Sequence, residues 1–448
     1  MNRFFQPAIT AVLLSAALVS VSAHAQDFTI DVNEFYTNTG TLTNNDTLTN
    51  NGNLTNDGTL NNNNTLNNNL DLYNYGTLNN DGILITDLSL NNYGILTNSN
   101  NGTLTNDNSL TNQGILTNDG TLTNNGTLAS NWQLNNSNTL TNNYELINDG
   151  TLNNTATGTL NNNVLSVITN NSILGNDGTL TNDGKLTNQV GGELINYEAL
   201  ENNGTLDNAG MLENHGDLYN YDKLTNDGFL YNTGTLSNDG TLTNNDMLDN
   251  AGTLTSTGTL TNDSTMSVFG GTVNATSIVN NGIFSFTGGT LSVDNFVGTL
   301  ANTGGILSPG NSPGTTNITG DYSQDATSTL LIEIEGLLAG TEHDVLNVTG
   351  TATLDGILDF DVDYSGLLLG DSFNILNADV ISGTFASITN QQINTDWFWE
   401  LNYQVDLNGS TDVLTATVVT AVPIPATVWL FGSGLGLLGW VRRRPVPR

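Results

Sequence analysis

The 448-residue chain has no cysteine, seven prolines and only seven lysines and arginines. Without cysteine there is no disulfide framework and no thiol or thiolate–metal chemistry. Against the seven basic residues stand 43 aspartates and glutamates, for a formal net charge of −36, and Lys185 and Lys223 are the only basic residues between the two ends of the chain. A surface this acidic repels nucleic acid and anionic lipid headgroups, and it favours solubility. Charge is still sparse at 11% of residues, so asparagine and threonine do most of the solvating. His24, His215 and His343 are isolated from one another, which reads as surface placement and not as a base or metal ligand. No Ser-His-Asp set, phosphate loop or zinc spacing accompanies them.

What the chain has in abundance is one beat. Leu42, Leu48, Leu54, Leu60, Leu66, Leu72, Leu78, Leu84, Leu90 and Leu96 are each six residues apart. The beat resumes from Leu104 to Leu152, passes Leu160, Ile168 and Leu186, then runs from Leu194 to Leu260 and Met266. Each unit reads Gly-Thr-Leu-Thr-Asn-Asp/Asn, as in residues 120–125. A repeat this strict is a structural device.

A period of six walks leucines around a helix but suits a strand period of two plus a corner. Leu122 then points one way and Thr121 and Thr123 the other. Two residues after almost every leucine comes an inward asparagine, such as Asn44, Asn50, Asn124 or Asn244. Four after it usually comes glycine, expected to supply a positive φ at the corner. The steps Leu96–Leu104, Leu152–Leu160, Leu160–Ile168 and Leu186–Leu194 are eight residues instead of six. Two extra residues keep strand parity, whereas one would turn the leucine outward. A disordered, prion-like asparagine tract would have no reason to avoid odd steps. Stacked coils would give leucine and asparagine columns at roughly 4.8 Å spacing. The spacing fixes neither the number of hexads per turn nor the handedness.

Residues 1–25 read as a secretory signal peptide: Arg3, an apolar stretch over residues 8–21, and Ala23 and Ala25 at an A-x-A cleavage site. The expected organisation is then a hexad solenoid over 26–266, irregular β-helical coils over 267–307, a β module over 308–420 and a tail over 421–448. The expected fold class is all-β, a parallel β-solenoid of six-residue Leu/Asn repeats followed by the β module and a C-terminal transmembrane helix. The helix is expected over residues 426–441, an apolar run of sixteen residues ending at Arg442, Arg443 and Arg444.

Two resemblances accompany these segments. The runs LSPGNSPGTTNITGDYSQ, EHDVLNVTGTATLDGILDFDV and LGDSFNILNADVISGTF resemble the β-helical module that closes many bacterial autotransporter-type and surface proteins. That likeness implies solenoid or sandwich-like β packing and no catalytic residues. The tail, with Val422, Pro423, Ile424 and Pro425 before the apolar run and the three arginines, is similar to the PEP-CTERM sorting signal, also described as the ice-binding protein C-terminal domain. Ile424 stands where that family commonly has glutamate. The resemblance implies an exosortase-type membrane processing enzyme as partner. It also implies an inner-membrane intermediate held by the helix, and final display at the cell surface or in the extracellular matrix.

No catalytic, cofactor or metal site is expected. Glu333 and Glu335, and likewise Asp359, Asp361 and Asp363, are two residues apart and so share a strand face, whereas acid–base pairs work across a cleft. Trp397 and Trp399 alternate on a strand, with sheet packing favoured over a sugar platform. The function read from these features is a structural or adhesive surface protein of an exopolysaccharide or biofilm matrix, with extracellular polysaccharide as a partner. The alternative is ice binding or ice adhesion through Thr-x-Thr triplets at Thr41, Thr121, Thr179 and Thr259. A polysaccharide lyase or hydrolase would need a clustered acid and base that the repeats lack.

Overall fold

A computed structural model describes residues 27–405 and 411–420. Four-residue strands recur at each hexad, as in Thr121–Asn124 and Thr139–Asn142, with outer and buried residues alternating. Their partners fix the coil. Thr121 lies beside Thr139, Leu122 beside Leu140, Thr123 beside Thr141 and Asn124 beside Asn142, all parallel. One turn therefore takes 18 residues, three hexads with a strand on each of three sides.

The leucine column is the core. Every leucine of the beat from Leu54 to Leu260 is fully buried, as are Ile168 and Met266. Burying each contributes roughly 1.5–3 kcal/mol, and only stacking makes that burial available, because a lone coil exposes both its faces.

The buried asparagines form three ladders, one per corner. In one, Asn38 donates to Asn56 at 2.7 Å, Asn56 to Asn74 at 2.7 Å and Asn74 to Asn92 at 2.7 Å. A second runs from Asn44 through Asn62 and Asn80 to Asn98, and a third joins Asn106, Asn124, Asn142 and Asn162. Each amide nitrogen also donates to a backbone carbonyl beyond the corner, as Asn124 does to Glu145 at 2.8 Å. At the first coil no earlier amide exists to donate, and the corner's own N–H serves instead: Gly40, Asp46 and Gly52 donate to the Oδ1 of Asn38, Asn44 and Asn50. Partners at nearly every rung are what make a polar column tolerable in a core.

The corner glycines have a different reason from the one expected. Most hexad glycines, Gly58 and Gly82 among them, have no positive φ. A Cβ at Gly58 would lie 2.0 Å from the Gly40 carbonyl oxygen one coil below. The gain is an extra bond, since Gly58 N–H donates to the Asn38 carbonyl at 2.9 Å beside the one from Asp57 at 2.8 Å. Close approach between coils, then, selects glycine here. The eight-residue steps become four-residue corners such as 163–166, where Leu165 has φ +69° and is exposed, and the register on either side is kept.

Past Met266 the strands lengthen. Thr265–Asn280 and Ile283–Val297 run side by side through their corners. Thr315–Thr319 then pairs parallel with Val345–Leu354, and that strand with Ser372–Gly383. The outer amides Asn317, Asn347 and Asn377 are bonded in series at 30-residue spacing. The packing left open between solenoid and sandwich is thus parallel solenoid, until two antiparallel strands end it: Asp412–Thr420 on Ser372–Gly383, and Trp397–Gln404 on Asp412–Thr420.

The fold class needs one correction. The described residues form strands, turns and no helix, so none is long and apolar enough to cross a membrane. Buried and outer residues alternate along the four-residue solenoid strands and two-residue corners interrupt them, which leaves no long continuous apolar run there. The transmembrane helix expected near the C-terminus is therefore not an element of this all-β solenoid as described, and residues 421–448, to which it was assigned, lie outside the described residues.

Candidate binding surfaces

On each strand the first and third residues face out, so each side of the solenoid is a two-column grid. The three sides differ. One carries Thr103 and Thr105, then Thr121 and Thr123, Thr139 and Thr141, Thr159 and Asn161, and Thr179 and Thr181, on successive coils in direct register. The adjacent side places Glu193, Ile195, Met211, Glu213, Phe229 and Tyr231 in the same slots. The remaining side holds both interior lysines. Lys185 lies 3.0 Å from Asp207, and Lys223 lies 3.9 Å from the other oxygen of that carboxylate.

The triplets at Thr41, Thr121, Thr179 and Thr259 fall on three different sides, but Thr121 and Thr179 belong to the dense threonine patch. Sequence alone hid the patch because its period is the coil and not the hexad.

Corners add exposed ladders of their own. Asn125 donates to Asp107 at 2.7 Å, Asn143 to Asn125 at 2.7 Å. Tyr75 and Tyr93 stack at 4.8 Å between ring centroids, and Tyr197 and His215 at 5.2 Å. His215 is held between Thr233 at 2.7 Å and Glu213 at 3.2 Å, an outer position as expected. His343 is the exception: it is buried, with Nδ1 3.3 Å from the Gly336 carbonyl, and burial holds its ring below the usual imidazole range.

Near the C-terminal end, Glu333 lies beside Asp361 on adjacent parallel strands. Glu335 and Asp363 flank the same shallow groove. Burial, then the charges of Asp361 and Glu335, push the Glu333 carboxyl up. These groups crowd one face, with no acid set opposite a base, and among the described residues no group of three or more could hold a metal ion. Sequence reasoning missed Asp344. It is fully buried and accepts from Gly314 N–H at 2.7 Å and Glu333 N–H at 2.9 Å, clamping the turn-rich 308–314 segment to a strand. Burial outweighs those two donors and pushes its carboxyl up to about 7. Trp399 packs on Phe360 at 4.8 Å and against Phe373 at 5.6 Å, the sheet-packing role expected of it.

Ala23, Ala25, Val422, Pro423, Ile424, Pro425, Arg442, Arg443 and Arg444 all lie outside the described residues. With no membrane-crossing helix among the described residues, the membrane processing partner and the inner-membrane intermediate have no element of this fold to act on. The expected partner and route are corrected to that extent.

Residues 19–100, 71–143 and 145–234 match the family described as Haemagglutinin repeat. No curated protein matches the chain. The three matches together cover a little under half of the chain, so its repeats are similar to haemagglutinin repeats, carried here on an all-β parallel solenoid.

Proposed function

We propose that the chain is a stiff structural and adhesive rod of an extracellular, polysaccharide-rich matrix, holding by many weak, uncharged contacts along its length. The observation that supports this most is the grid of hydroxyl and amide side chains over residues 103–181, fixed in register by the asparagine ladders. Each contact is worth little, but contacts on one rigid body add through effective concentration. Hydroxyls and amides pair with sugar hydroxyls without counterion release, so such adhesion is insensitive to salt. The test is co-sedimentation of the full chain with insoluble cellulose at low and high salt. Equal retention supports the reading; elution by salt, or no retention on cellulose or on starch granules, rejects it.

One observation favours a second reading, ice binding. The threonine patch over residues 103–181 is a two-column hydroxyl array with about 4.8 Å between coils and roughly 6.6 Å between columns, a regular lattice of the kind a crystal face requires. Its test is ice-recrystallisation inhibition by the full chain, repeated with Thr123→Tyr and Thr141→Tyr. Activity lost in the variants supports ice binding; no activity in the unsubstituted chain rejects it.

A further inference from the structure

Beside the start of the antiparallel strand Trp397–Gln404, an open cleft of about 530 Å³ lies between that strand, the end of Ile357–Val362 and the loops at 364–367 and 390–394, within the range of small-molecule sites. Trp399 lines it and is 1% exposed, yet its indole Nε1 has no hydrogen-bond partner. A buried donor left unpaired is costly, which marks this end of the sheet as a place where packing is incomplete. Trp397, two residues before it on the same strand and only half-buried, also lines the cleft, as does Tyr364. Polar groups come from Asp361, Gln392 and Asn394.

We infer that this cleft binds a short segment of a neutral saccharide chain. Sugar rings offer apolar C–H faces to aromatic rings and hydroxyls that both donate and accept. Trp397 and Tyr364 supply the faces, Asp361 an acceptor, and Gln392 and Asn394 both kinds of group. Charge decides against anions. No lysine or arginine lines the cleft, and the Glu333, Glu335 and Asp363 carboxylates lie in the adjoining groove that shares Asp361 and Val362 with it. Phosphates, sulfates and uronates are repelled.

This site is separate from the threonine and asparagine rows, so it stands or falls independently of the rod's adhesion. The experiment is a fluorescence titration of the full chain with cellotetraose and maltotetraose, checked by calorimetry. We expect saturable change at one site per chain with at least one of them. Affinity falls by about tenfold or more in Trp397→Ala, survives in Trp397→Phe, and weakens in Asp361→Asn, an exposed rim substitution that leaves the fold intact. Trp132→Ala, on a distant solenoid corner, leaves the titration unchanged. No saturable signal with either sugar overturns the inference, as does binding unaffected by both Trp397→Ala and Asp361→Asn. Tighter binding of a tetragalacturonate or of chitosan tetraose also overturns it, by making the preferred ligand charged.

Discussion

Two substitutions in the asparagine ladders expose what a single rung contributes. Thr86 sits between Asn68 and Asn106, and Ser130 between Asn112 and Asn148. Neither side chain can donate across the coil as an amide does, and the Oδ1 atoms of Asn106 and Asn148 are left buried without a partner, as is the Thr86 hydroxyl. Thr86→Asn and Ser130→Asn should restore the missing donors, and each is expected to stabilise the chain by about 1 kcal/mol, read as a shift in the urea unfolding midpoint. The reverse change, Asn124→Ala, removes two donated bonds and leaves the Asn106 amide only its bond to the Thr127 carbonyl; it should cost roughly 2–4 kcal/mol. Asp344 and Glu333 give a pH dependence of definite sign. Both carboxyls are raised in the folded chain, so it holds their protons more tightly than the unfolded chain does. Their contribution is full below about pH 4 and is lost as pH rises through about 7 at Asp344. Melting temperature should therefore fall between those limits, and Asp344→Asn should flatten the slope.

At the scale of the element, a coil is three strands and three corners, and the corners tolerate length only in pairs. Residues 99–102, 155–158 and 189–192 are natural four-residue corners among two-residue ones, and flanking leucines keep their places. Inserting two residues after Asn125 is expected to leave the thermal melt nearly unchanged. Inserting one should lower it by several degrees, because a strand must slip and present Leu128 to water. The inward leucine and asparagine were legible in sequence because strand parity repeats within six residues. The glycine reasoning went astray because the constraint at Gly58 lies one coil away, at the Gly40 carbonyl, where local turn rules do not reach. Asp344 was invisible for a similar reason: its partner Gly314 is 30 residues earlier.

For the whole molecule, the sequence carries the repeat but not the number of hexads per turn, because all three sides use the same hexad. That number decides everything on the surface. It assembles the threonine patch, sets Lys185 and Lys223 around Asp207 and gathers the aromatic columns. Along one ladder from Asn38 to Asn280 the rod is on the order of 60 Å long, at about 4.8 Å per coil. The C-terminal cleft was the least legible feature, since strand alternation at Trp397 and Trp399 says which face a ring takes but not what it encloses.

The 18-residue turn is the claim on which the rest depends, and the absence of native cysteine allows a clean test of it. In the Thr123→Cys/Thr141→Cys double variant the two thiols sit on directly paired positions of adjacent coils, within the Cα separation of about 4.4–6.8 Å that a disulfide accepts. In Thr123→Cys/Ala129→Cys they lie one hexad apart, on different sides of the rod. Under mild oxidation the first pair should cross-link intramolecularly while the folded chain persists, and the second should stay reduced. Cross-linking of the second pair and not the first would contradict the three-sided coil and every surface built on it.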